Sequence, residues 1–358
     1  MKKADAAYKN TTQQIGIALI LFFGIFTGAQ VVYLIVQMIL GIFAGEKTYN
    51  VVSSILWDAL YLLSFMLPVA IFYAMSKNKS AKNALQDKNP TPKMILGSKL
   101  SAKILLIIPA ALALNLVAST INSILVSPFN LSVLYEQTVY TPDYKLYSFL
   151  LDVIGTAIVP AFCEEFLFRG LILAALLPYG KKTAIIGSSV LFGLMHQNPA
   201  QLFYTTVLGM VLASIAVETM SIWGGVLLHF VNNFFGVVMD TAYCLYPEAQ
   251  ADYITNFLVL AILLTGAVCA VVLFVMYLKK RKKSKAILAD VALPRVEDGV
   301  FGQSGLIVSG SENIAGYDLS RGYNVKGFFS PTIIIFAVLS AGTMLMLILS
   351  ALLQQAVM

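Results

Sequence analysis

Residues 15–44 read IGIALILFFGIFTGAQVVYLIVQMILGIFA, thirty consecutive positions without a charged side chain. A helix rises about 1.5 Å per residue, so such a run more than spans a hydrocarbon core about 30 Å thick. It is too long for the apolar region of a cleaved leader and lacks a small-residue cleavage pattern, so it reads as a retained first span. Inside a bilayer every backbone N–H and C=O needs an internal partner, which leaves helices or closed barrels. The run is continuously apolar, and a helix is expected.

Similar windows recur outward from this one. Spans are expected at Ile15 to Ala44, Val51 to Met75, Ile104 to Val126, Tyr147 to Leu177, Thr183 to His196, Leu202 to Val217, Ile222 to Met239, Phe257 to Leu278 and Thr332 to Leu353. The fifth and sixth are short enough to be tilted, partly buried or re-entrant. Of 358 residues, 59% are hydrophobic and 12% charged; a soluble domain is about 25% charged. The expectation is an all-α, polytopic transmembrane bundle of eight to nine helices. No internal repeat supports an inverted-repeat transporter.

The formal charge of +6 sits in short lysine runs beside apolar segments, so its partners are membrane lipids and not nucleic acid. Lys2, Lys3 and Lys9 precede the first span, six lysines from Lys77 to Lys99 follow the second, Lys181 and Lys182 follow the fourth, and six basic residues between Lys279 and Lys285 follow the eighth. All fall on one side if the spans alternate, which places the amino terminus in the cytoplasm. The localisation expected is a multi-pass protein of a bacterial plasma membrane. Residues 279–330, basic and then rich in glycine, read as a flexible extramembrane segment. Cys163, Cys244 and Cys269 show neither ligand nor disulfide spacing.

Ionisable residues in spans are costly, about 2.5–3.5 kcal/mol each at the centre of a helix, so each needs a reason. Here they cluster. The fourth span contains Cys163-Glu164-Glu165-Phe166-Leu167-Phe168-Arg169-Gly170. Glu165 and Arg169 are four apart and pair as structural glue, whereas Glu164 lies about 100° round the helix and is the carboxylate left for other work. The chain has two histidines, His196 and His229, both in or at the edge of apolar helices. His229 and Asn233 share a face, with Asn232 turned elsewhere, and Phe192 stands one turn before His196, placed to wall the site against lipid. Asp58, Asp152 and Glu218 read as bundle hydrogen bonders or interfacial residues.

A carboxylate and an imidazole can take a proton from water, and an imidazole with an amide can donate to an oxyanion. The same groups, Glu164, His196 and His229, could instead hold a divalent metal such as zinc with water in the open position. No His-Glu-x-x-His helix, Gly-x-Ser-x-Gly motif or Cys–His dyad decides between them.

Glu-Glu-x-x-x-Arg, Phe-x-x-x-His and His-x-x-x-Asn, in this order on successive membrane helices, resemble the CPBP intramembrane protease family. That family includes the type II CAAX prenyl endopeptidases and bacterial enzymes linked to bacteriocin processing or immunity. The resemblance covers approximately Ser101 to Tyr246 and implies a protease core at 101–246, flanked by helices and a loop at 1–100, a helix at 247–278, the segment at 279–330 and a last helix at 331–358. It also implies that Glu164 and His196 activate water while His229 and Asn233 stabilise the oxyanion, with Glu165, Arg169 and Phe192 in support. The family has been described both as metalloprotease and as metal-independent glutamate protease. The activity it implies is endopeptidase cleavage of a membrane-associated or lipidated peptide or protein. The competing readings are a non-catalytic immunity or scaffold protein of the same fold, and a transporter using the carboxylates as a proton relay.

Overall fold

The computed structural model describes residues 2–76, 100–131, 140, 144–290, 313–314, 317–318 and 328–357. Among these the chain forms nine helices: α1 (Lys2–Phe43), α2 (Glu46–Ser76), α3 (Ile104–Val126), α4 (Leu146–Tyr179), α5 (Lys181–Met195), α6 (Pro199–Thr219), α7 (Trp223–Leu245), α8 (Glu248–Asp290) and α9 (Pro331–Val357). The all-α bundle expected from the apolar runs is what the chain adopts.

Seven of the nine, all but α5 and α7, are long and apolar enough to cross a membrane on length and composition, within the expected bundle of eight to nine helices. Helix α5 has 15 residues, about 22 Å of rise, and falls short of a bilayer. Helix α7 has 23 residues but carries His229, Asn232, Asn233 and Asp240, which lower its hydropathy. The faces of α1, α8 and α9 that project Met38, Phe43, Leu264, Val338 and Met346 are exposed and face lipid. The lysine loop at 77–99 and most of the glycine-rich segment lie outside the described residues. Of the described part of that segment, α8 runs on to Asp290, and Asn313–Ile314 pairs antiparallel with Tyr317–Asp318.

Helices in lipid approach closely where side chains are small. A Cβ on Gly266 of α8 would stand 2.5 Å from the Pro109 carbonyl of α3, and one on Gly187 of α5 would stand 2.6 Å from the Phe328 ring. Gly16 of α1 likewise receives Thr332 at the start of α9, whose hydroxyl donates to the Gln13 carbonyl at 2.9 Å. The last helix is thereby packed on the first.

Helix α4 is the element that sets the site. It is π-helical over Val153–Ile158 and Phe166–Leu173, with a short α-helical stretch between. Pro160 has no N–H to give to the Thr156 carbonyl, and a widened turn is one outcome of such a missing donor. At the other end Gly180, with φ at 122°, reverses the chain into α5 in a conformation that side-chain-bearing residues rarely adopt.

Candidate active site

The α4–α5 hairpin brings the first two residues together by arithmetic. Glu164 is 16 positions before Gly180 and His196 is 16 after it, so in two antiparallel helices they come level. In the fold Glu164 sits about 24 Å from the turn, and the short α5 ends there.

A cavity of about 500 Å³ collects Glu164, His196, His229 and Asn233 on its wall, with Phe192 beside them. Glu164 is 4% exposed, and its Oε1 accepts a hydrogen bond from the Tyr61 hydroxyl of α2. Its Oε2 has no hydrogen-bond partner and stands 3.8 Å from His229 Nε2. That gap is too long for a direct bond and suits one bridged by water.

Behind this layer Glu165 Oε1 accepts from Arg169 Nη1 at 2.6 Å and from His229 Nδ1 at 3.0 Å. Arg169 and Glu165 pair as expected, but Glu165 also aims the histidine. A carboxylate can only accept here, so Nδ1 carries the proton and Nε2 faces the cavity. His196 is fixed the same way, its Nδ1 donating to the Phe192 carbonyl at 2.9 Å. Arg169 donates further to the Gly209 carbonyl at 3.2 Å. Gly225 of α7 admits the Glu165 carboxylate, since a Cβ there would meet Oε2 at 2.7 Å.

Two expectations about orientation are corrected. Phe192 is 1% exposed and does not wall the site against lipid; its ring lies 4.3 Å from the Arg169 guanidinium carbon and edge-on to both histidines. Such a cation–π contact out of water contributes on the order of 2 kcal/mol. Asn232 does not turn elsewhere, because the cavity is wide enough for both asparagines to line it. It donates to Asn233 Oδ1 at 3.1 Å and accepts from Asn115 Nδ2 of α3 at 2.9 Å. Asn233 Nδ2 donates at 3.0 Å to the Thr156 carbonyl, four residues before Pro160.

Sequence reasoning missed Tyr61, Gln201, Thr205 and Asp240, all on the cavity wall. Asp152 accepts from Tyr144 at 2.8 Å, in keeping with a hydrogen bonder near an interface. Burial pushes the Tyr144 hydroxyl, which precedes α4, up to about 12, with the Asp152 carboxylate adding to the shift.

The donor types suit a divalent metal, but among the described residues no three His, Cys, Asp or Glu side chains converge as a ligand group.

With this geometry in place, residues 146–235 match the family model described as type II CAAX prenyl endopeptidase Rce1-like. Over 93 residues, 25% of the chain, the sequence is 34% identical to YdiL of Bacillus subtilis (strain 168), whose name proposes a membrane peptidase. The chain spans 37% of that relative's length. No solved structure matches the chain. Residues 146–235, with every group from Glu164 to Asn233 among them, are thus similar to the type II CAAX prenyl endopeptidase Rce1-like family and are set in a polytopic membrane protein.

Proposed function

We propose that the chain is an intramembrane endopeptidase that hydrolyses a peptide bond of a membrane-associated substrate, prenylated or not, with Glu164 as general base. The observation that carries this reading is the Glu164 Oε2 atom. It is buried, without a hydrogen-bond partner, 3.8 Å from an imidazole nitrogen, and on the wall of a cavity of about 500 Å³. A charge held out of water in this way has a use in proton transfer.

In the reaction a water between Glu164 and the imidazoles gives its proton to Glu164 Oε2 as its oxygen attacks the carbonyl carbon. The neutral His196 ring, with Nδ1–H committed to Phe192, offers an Nε2 lone pair that orients the water. The former carbonyl oxygen takes the negative charge and is met by donors from α7: the free N–H of the Asn233 amide, and His229 in its imidazolium form, in which Nε2 carries a proton as well as Nδ1. The proton on Glu164 passes to the leaving nitrogen, the C–N bond breaks, and an acid and an amine leave. Tyr61 holds Oε1 so that Oε2 is the oxygen presented.

The test is cleavage of a panel of prenylated and unprenylated peptides by purified protein in detergent, wild type against Glu164→Ala, with and without chelator. Cleavage lost in the variant and insensitive to chelator supports glutamate-activated water. Cleavage abolished by chelator and restored by zinc moves the mechanism to a metal held by Glu164, His196 and His229. Cleavage of no peptide overturns the peptidase reading in favour of an immunity or scaffold role.

A further inference from the structure

The cavity has a direction. On α7 it runs from His229 to Asp240, 11 residues or about 16 Å, and on α4 from Glu164 to Gly155, 9 residues or about 13 Å. On α6 it runs from Leu208 back to Gln201. Burial changes along the same line. Glu164, Leu208 and His229 are 3–4% exposed, while Thr156, Gly236 and Asp240 are open. The reacting groups therefore form the floor, and the mouth lies toward the Leu146, Pro199 and Leu245 ends of the three helices.

The lysine-bearing ends lie the other way. Tyr179, two residues before Lys181, shares a hydrogen bond of 2.9 Å with Thr11, two residues after Lys9. Thr332 is bonded to Gln13, and a Cβ on Gly224 would be 3.8 Å from Ile104, which follows Lys103. The amino terminus, the start of α3, the α4–α5 turn, the start of α7 and the start of α9 thus gather at one end of the bundle. The opposite end carries Glu248 and Asp252 and no lysine run. Lysine-rich ends stay in the cytoplasm. The floor lies about 24 Å from that end counted along α4 and about 9 Å counted along α7, where His229 is six residues past Trp223.

We propose that the cavity is entered from the extracytoplasmic face, and that its substrate is a peptide presented in the outer half of the membrane or already translocated, not a chain end arriving from the cytoplasm. The substrate half of this proposal rests on the peptidase reading above; the direction of the mouth does not.

The experiment is labelling by a membrane-impermeant sulfonated maleimide in protein whose Cys163, Cys244 and Cys269 have been replaced by alanine. Thr205→Cys puts a thiol inside the cavity and Lys182→Cys puts one at the opposite end. Expected is reaction of Thr205→Cys in intact cells at least tenfold faster than in inverted vesicles, with the reverse order for Lys182→Cys. Reaction of Thr205→Cys from inverted vesicles alone, or only after detergent solubilisation, overturns the proposal. A peptide cleaved by the detergent-purified enzyme is then added to spheroplasts and to inverted vesicles carrying wild type or Glu164→Ala. Cleavage confined to inverted vesicles overturns the substrate assignment. Outward labelling with no cleavage even in detergent sinks the peptidase reading and leaves the orientation standing.

Discussion

Replacing Arg169 with leucine tests the polar layer behind the cavity. Arg169 and Glu165 are both 0% exposed, so the substitution leaves a carboxylate in the bundle with its 2.6 Å partner gone. Breaking a buried pair from one side costs about 3–5 kcal/mol. The Phe192 contact, itself about 2 kcal/mol, puts Arg169→Leu toward the upper end of that range. Glu165→Leu strands the guanidinium and should cost a similar amount. The double variant Glu165→Leu/Arg169→Leu removes both charges of the pair and should lie within about 2 kcal/mol of wild type, because apolar replacement of a whole buried pair is often neutral. The cycle thus predicts a coupling of roughly 3 kcal/mol or more, read from unfolding of the micelle-bound protein in a denaturing detergent by circular dichroism. Peptide cleavage should stay abolished in the double variant, since His229 has lost the acceptor that aims it. A coupling below about 1 kcal/mol, the size of a solvated surface pair, refutes the burial argument. Recovered cleavage in the double variant refutes the positioning role of Glu165.

Other substitutions divide the site further. Glu164→Gln keeps the Tyr61 contact but cannot take a proton; kcat should fall by about 10²–10⁴ with peptide binding little changed in a fluorescence titration. Tyr61→Phe should reduce kcat less than Glu164→Gln, and a loss equal to that of Glu164→Gln would mean the phenol takes part in proton transfer. Gly225→Ala forces Glu165 Oε2 away from 2.7 Å while Oε1 is held by two donors, so activity should fall more than stability does. Pro160→Ala supplies an N–H for the Thr156 carbonyl; a stability cost of Asn233→Ala measured in the wild type should shrink in that background, by about 1 kcal/mol, if the amide caps this carbonyl.

The spans were legible because lipid leaves few options: an uncharged run of thirty residues has no soluble reading, and a Glu–Arg pair four apart has one obvious partner. Tyr61 was not legible, because its partner is Glu164, 103 positions away, and a tyrosine in an apolar helix reads equally as packing. Asn232 was misread for a different reason. A face argument assigns one direction per residue, whereas a cavity of this width admits neighbours 100° apart, and the Asn115 amide on α3 holds Asn232 there.

The hairpin about Gly180 works as a gauge. Level placement of Glu164 and His196 depends on equal residue counts in two arms and not on any contact at the turn. Adding one residue to either arm displaces everything beyond it by about 1.5 Å and 100°, enough to carry a reacting group off its face. An extra residue within the turn leaves the arms in phase only if the turn bulges outward to absorb it. The π segments of α4 are the other place where a length error can be taken up, since each holds one residue more than an α-turn does. Insertions and deletions in related chains should therefore fall at the turn or come with the gain or loss of a π segment, and those that do neither should mark proteins in which the two groups no longer meet.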